Sequence, residues 1–171
     1  MWDVRVVSKK IRIEWEDGSF WSKAAGIMVG GKKRVLLSRL EDEDVWVLPG
    51  GTISLYETSE ETVKREFLEE TGFEIEVHRL LWIIENFFVF NDEKCHDIGL
   101  YFLVSVKEAK EFWEQEEFIG QEERHTSDRS WKLIFKWFDP SELDKLNLKP
   151  SVLIELLKNI PEHPIHIIHH G

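Results

Sequence analysis

Cysteine is almost absent. Cys95 is the single one in 171 residues, so no disulfide can form within one chain. That excludes a disulfide-stapled scaffold and fits a reducing compartment such as the cytoplasm. Long apolar runs are missing too. No stretch approaches the roughly 18 apolar residues that cross a membrane. Met1-Trp2-Asp3 is not followed by the basic and apolar regions of a signal peptide, so none is expected. Basic residues are in short supply: 22 Lys and Arg stand against 33 Asp and Glu, a formal net charge of −11. A surface of that sign repels polyanions and argues against nucleic acid as a partner. It leaves room for small phosphorylated ligands, because a bound divalent cation inverts the local charge. Repeats and low-complexity linkers are also missing.

What remains is ordinary globular composition, 42% apolar and 32% charged, in a length that suits one domain, residues 1–171. Residues 3–15 alternate as strand. Residues 23–29 and 34–38 flank Gly30-Gly31 and predict a hairpin. Residues 45–48 are a short apolar run that stops at Pro49-Gly50-Gly51. Residues 74–90 and 97–107 are rich in β-branched and aromatic residues and predict strands about a turn near Asn91-Asp92. Residues 108–130 are acidic, with Gly120 inside, and predict a loop or extended excursion. Residues 131–138 predict a strand, Pro150 opens a helix over SVLIELLKN, and Ile165–Ile168 predicts a closing strand. Mixed strands and helices indicate an α/β domain with a mixed sheet.

Residues 49–73 carry the chemistry. Thr58 and Glu61 form a capping box, so a helix starts there, and Gly72 is placed to end it. Val63 and Phe67 share an inward face. Glu66, Glu69 and Glu70 lie at i, i+3 and i+4 and share another. Like charges at that spacing cost about 0.2–0.5 kcal/mol per pair, and the later two sit at the negative end of the helix dipole. A hard cation such as Mg²⁺ removes the objection, since it prefers carboxylate oxygens and water. Arg65 lies beside Glu66 and one turn before Glu69, where its fork can orient a carboxylate. Gly50 and Gly51 let the backbone approach a metal or a phosphate.

The segment resembles the Nudix box, G-x5-E-x7-R-E-U-x-E-E-x-G-U with U apolar. Gly51, Glu57, Arg65, Glu66, Phe67, Glu69, Glu70, Gly72 and Phe73 fill every specified position. Chance alone gives such a match with odds on the order of 10⁻⁶ to 10⁻⁵. The preceding RVLLSRLEDEDVWVLPGG, the downstream ENFFVFNDEKCHDIGLYFLV and the later FKWFDPSEL are similar to the family as well, so the likeness covers about residues 20–160. It implies the Nudix fold, an α/β/α sandwich around a mixed β-sheet. It also implies hydrolysis of a nucleoside diphosphate linked to another group, with Mg²⁺ as cofactor and Mn²⁺ as a substitute.

Under that resemblance Glu69, Glu70 and the Gly50 carbonyl hold the metal. Glu66 is a further ligand or the base that takes a proton from water, Arg65 orients Glu66 or Glu69, and Glu57 closes the loop. The family completes its site with an acidic residue after the box. Residues 108–130 offer Glu116, Glu117, Glu122 and Glu123, with Glu122 favoured. Arg39 is a candidate for a phosphate; Gly51, Glu57, Glu85 and His96 are candidates facing the substrate. Trp46 is a candidate stacking partner or a core residue. His163, His166, His169 and His170 do not match zinc spacing. Tyr56 stands where the family often has Gly, and its bulk is expected to exclude a conformation that needs Gly. The substrate is expected to be small, such as ADP-ribose, a dinucleoside polyphosphate or a modified triphosphate. Alternatives are a sensing module without turnover, a hydrolase of capped RNA, and an isomerase, for which Cys95 is the only activating thiol. A homodimer is an analogy to relatives that act on ADP-ribose.

Overall fold

Alternating residues build strands here, and their register decides which side chains meet. A computed structural model describes residues 9–107, 115–122 and 131–171. The chain runs β1 (Arg12–Trp15), β2 (Gly18–Met28), β3 (Val35–Leu40), β4 (Gly50–Thr52), α1 (Ser59–Thr71), β5 (Ile75–Phe90), β6 (Glu93–Val106), β7 (Glu117–Glu122), β8 (Trp131–Phe138), α2 (Leu153–Leu156) and β9 (Ile165–His170). One sheet has the order β1-β2-β6-β5-β9, with β4 added to β2; a second has the order β3-β8-β7. β2 pairs with β6 and β5 with β9 in parallel, and the other pairs are antiparallel. The large sheet is therefore mixed, as expected. Among the described residues no helix is long and apolar enough to cross a membrane.

The two faces of β2 feed two cores. Ala24 and Met28 join Val63 and Phe67 of α1 on one face. Ala25 and Ile27 join Trp46, Leu148, Leu153 and Leu157 on the other. So α1 covers one face and the C-terminal segment covers the opposite one. Trp46 is core, with its ring edge-on to Phe138 at 4.7 Å.

Three expectations are corrected. β2 and β3 do not form a hairpin. Both edges of β2 are taken, by β6 on one side and by β1 and β4 on the other. β3 pairs with β8 instead, and only the Val29–Val35 bridge remains. Lys32 and Lys33, not the glycines, adopt positive φ in the connection. The acidic stretch contains a strand, β7, because the free edge of β8 offers a ladder. Glu117 lies opposite Lys136, and Phe118 stacks on Phe135 at 4.9 Å. The helix after Pro150 shrinks to Leu153–Leu156, entered through i+3 bonds from Leu153 to Pro150 and from Ile154 to Ser151.

Other expectations hold. β5 and β6 meet at Asn91-Asp92, both at positive φ, the conformation such hairpin turns require. The Thr58–Glu61 capping box is present, and Gly72 ends α1 at φ 77°. Thr58 Oγ1 accepts from the Glu61 amide at 3.2 Å while the Glu61 carboxylate accepts from the Thr58 amide at 2.8 Å. Thr58→Ala is expected to lower unfolding stability by about 1–2 kcal/mol, read from a urea midpoint at unchanged slope.

Candidate active site

Helix α1 buries Thr62, Val63, Glu66, Phe67 and Glu70. Glu66 and Glu70 thus belong to the inward stripe, each 8% exposed, whereas the Glu69 side chain is 53% exposed. The three carboxylates share a side of the helix but not an environment.

Arg65 gathers the acids. Its Nε donates to Glu57 Oε1 at 2.6 Å and its Nη2 to Glu57 Oε2 at 3.0 Å. Its Nη1 donates to Glu66 Oε1 at 2.9 Å and to Glu69 Oε2 at 3.0 Å. One guanidinium fixes three carboxylates, which only its planar fork can do. Glu57 also accepts from the Ser54 amide at 3.0 Å and from Thr62 Oγ1 at 2.9 Å. The Arg65 bonds, helped by Ser54 and Thr62, hold its carboxyl down at about 2. Glu57 is therefore the anchor that ties the loop to the helix. Glu66 moves the other way: burial raises its pKa against the pull of Arg65.

The glycines before the helix have distinct reasons. Gly50 has φ 152°, and a Cβ there would strike the Ala24 carbonyl and Ala25. A Cβ on Gly51 would overlap the Glu66 carboxylate, so the bare backbone of β4 is what lets Glu66 lie against it. Gly120 of β7 passes so close to the Glu70 carbonyl and the Phe135 ring that a side chain would collide with both. β7 thereby runs along the end of α1. Glu122 ends that strand opposite Trp131; its side chain, and all of Glu123, lie outside the described residues. Glu116 instead pairs with Arg34 at 2.6 Å, and Glu117 is exposed opposite Lys136.

The other candidates are placed as follows. Arg39 Nη1 donates to the carbonyls of Leu40, Glu41 and Glu43 at 2.8–3.0 Å, and its guanidinium lies over Trp46. It clamps the loop that leads to the box. Glu85 Oε1 meets His166 Nε2 at 2.7 Å. His96 stacks on Phe87 at 4.2 Å, and Phe87 stacks in turn on His170. His169 meets Ser151 at 3.2 Å. Tyr56 departs from expectation. It adopts φ 63° despite its bulk and is fully exposed. A left-handed non-glycine residue costs roughly 1–2 kcal/mol, less the flexibility that Gly adds to the unfolded chain. Tyr56→Gly is therefore expected to stabilise by about 0.5–1 kcal/mol, raising Tm by roughly 1–4 °C in a scanning calorimeter.

The family model described as the NUDIX domain matches residues 21–159. The chain belongs to the Nudix family. A "MutT-like protein" from Streptomyces ambofaciens is 44% identical over 62 residues, 36% of this chain and 40% of that one. The match thus spans well under half of that relative's length. A solved "UDP-X diphosphatase" superposes with a TM-score of 0.60 at 20% identity, covering 91% of this chain and 69% of that one. A solved "NUDIX hydrolase from Nitrosomonas europaea" gives 0.60 at 15% identity, over 93% and 82%. At those identities the two structures establish the Nudix fold.

The donor set suits a hard cation. Among the described residues no three His, Cys, Asp or Glu side chains are already grouped as a metal cage. Glu66, Glu69 and Glu70 nonetheless offer only oxygen, and the place that a Cβ of Gly51 would fill is left to the Glu66 carboxylate. Oxygen donors with room for water are what Mg²⁺ takes.

Sequence reasoning missed three functional candidates: Lys23, Asn86 and Asp97. It selected Glu85 and His96, their neighbours in the strands, which project from the opposite face. Asp97 is fully buried and Asn86 is 5% exposed. A carboxylate at an inward position of an apolar strand demands a partner, but alternation alone did not tell which of His96 and Asp97 faces inward.

Proposed function

We propose that this Nudix protein hydrolyses the diphosphate bond of a small nucleotide derivative with the help of Mg²⁺, which Mn²⁺ can replace. ADP-ribose, a dinucleoside polyphosphate and a modified nucleoside triphosphate all fit the reaction class. The observation that carries this is the single guanidinium of Arg65 holding Glu57, Glu66 and Glu69 beside a bare glycine backbone.

Glu69, Glu70 and the Gly50 carbonyl would hold the cation. When bound, the metal neutralises charge on the phosphate oxygens and lowers the pKa of bound water. Glu66 takes the proton from the attacking water. Its burial raises its affinity for a proton, which suits a base, and Arg65 keeps the carboxylate aimed. Glu57, held ionised by Arg65, fixes that guanidinium in turn. Gly51 keeps the approach to Glu66 free of side chains. Positioning and charge do the work, as expected for displacement at phosphorus.

The test is a panel of nucleoside diphosphate derivatives with Mg²⁺, following both products. Cleavage between the two phosphorus atoms that stops with a chelator and returns with added Mg²⁺ supports hydrolysis. Binding of a panel member without turnover supports a sensing module instead.

A further inference from the structure

A cavity of about 340 Å³ opens on the face of the large sheet opposite α1. Its walls include Trp21, Phe88, Val45 and Val47. Val45 and Val47 lead directly into Pro49-Gly50-Gly51, and Lys23, at the cavity floor, pairs with Thr52 of β4. A ligand seated there can reach the box by crossing the edge of the sheet at two glycines.

The floor is unusual for so apolar a chamber. Asn86 lies directly opposite Asp97 on β6, and Asp97 lies opposite Trp21 on β2, with Lys23 two residues further along. The three polar side chains thus stand in the order Asn86, Asp97, Lys23 across three adjacent strands. Asn86 Nδ2 donates to Asp97 Oδ2 at 3.0 Å. That bond fixes the amide orientation, since an ionised carboxylate only accepts. Lys23 Nζ approaches the same Oδ2 at 3.4 Å. Two acceptors, Asn86 Oδ1 and Asp97 Oδ1, are buried with no hydrogen-bond partner. An orphaned buried acceptor costs about 1–3 kcal/mol, so two at one cavity floor point to a ligand. Burial draws the Lys23 ammonium toward losing its proton, but Tyr101 and Asp97 outweigh it and keep the charge.

We propose that Asn86, Asp97 and Lys23 are specificity-determining residues that read the edge of a guanine-type base. In strand order the floor holds acceptor, acceptor and donor, the two acceptor atoms almost wholly covered, so that a base meets them once the Asn86 and Asp97 side chains turn outward. Guanine presents the complement: an exocyclic amine, a ring N–H and a carbonyl oxygen. Adenine offers one amine beside a ring acceptor and leaves an acceptor of the floor unmet. Uracil offers one N–H. Trp21 and Phe88, perpendicular at 5.7 Å, supply apolar walls for the ring. This assignment deepens the proposed function and rests on the chain taking a nucleotide.

The test is equilibrium binding of GDP, IDP, ADP and UDP to the whole protein in EDTA, where turnover cannot interfere. GDP is expected to bind roughly tenfold or more tightly than ADP or UDP. IDP, which lacks only the exocyclic amine, is expected to fall about fivefold below GDP. Asn86→Ala is expected to erase the GDP–IDP difference by weakening GDP alone. A variant that fails to fold leaves the wild-type comparison decisive. Equal binding of GDP and IDP, or tighter binding of ADP or UDP, overturns the assignment; hydrolysis of the Mg²⁺ panel would still uphold the proposed function. Selective GDP binding without turnover of any substrate upholds the assignment and removes the hydrolase.

Discussion

Glu66→Gln is expected to lower kcat by about 10³-fold, within the range for loss of a general base, while Tm stays the same or rises. The two halves of that result have one cause. The Glu66 carboxylate is buried, and burial raises its pKa. A raised carboxylate binds its proton more readily when folded than when unfolded. Its ionised form therefore costs stability at neutral pH, and that cost disappears below the ordinary carboxylate range. Gln removes the charge and keeps the shape, so the cost goes while one acceptor for Arg65 Nη1 remains. Proton uptake from water goes with it. KM is expected to change little, since a base acts in the transition state rather than in binding. A large drop in both kcat and Tm would mean that Glu66 is structural.

Arg65→Met is expected to act on both counts. It strips four hydrogen bonds from Glu57, Glu66 and Glu69. Glu57 carries most of the stability effect. Its side chain is 15% exposed, and its pKa lies at about 2 against an ordinary 4.5. A depressed carboxylate stabilises the fold above the unfolded value. That stabilisation is lost as pH falls from about 4.5 toward 2. Discounted for the part that Ser54 and Thr62 retain, the loss at neutral pH is about 2 kcal/mol, a fall of roughly 4–8 °C in Tm. The variant's stability should also fall less steeply between pH 4.5 and 2 than the wild type's. Turnover should drop about 10- to 100-fold, as for loss of residues that aim ligands. Lys in place of Arg65 should recover little, because an ammonium lacks the fork that reaches three carboxylates.

Local chemistry was legible in the sequence where it is local in space. The α1 capping box, the Gly72 stop and the Asn91-Asp92 turn each depend on residues a few positions apart, and each formed as expected. Helical spacing put Glu66, Glu69 and Glu70 on one side of α1, but it did not tell that Glu66 and Glu70 turn inward with Val63 and Phe67 while Glu69 stays exposed. Pairings across sheets were not legible. Gly30-Gly31 suggested a hairpin, but whether β2 could pair with β3 depended on edges already filled by strands far along the chain. β7 was hidden because its ladder partner, β8, follows an acidic stretch that reads as loop. Tyr56 shows the converse. Its bulk argued against positive φ, yet the loop tied down by Glu57 imposes it. In the cavity, alternation alone separates Glu85 from Asn86 and His96 from Asp97. Choosing the right member needed to know which face was covered, and only tertiary packing gives that.

The most direct test compares hydrolysis by the wild type and by Glu69→Gln/Glu70→Gln in saturating Mg²⁺, on whichever diphosphate the wild type cleaves. Each Gln keeps the shape and removes the charge that would hold the cation. A variant that keeps the wild-type circular dichroism but has lost activity by about 10³-fold or more is the expected result. Equal turnover by the two proteins would place the chemistry away from this helix.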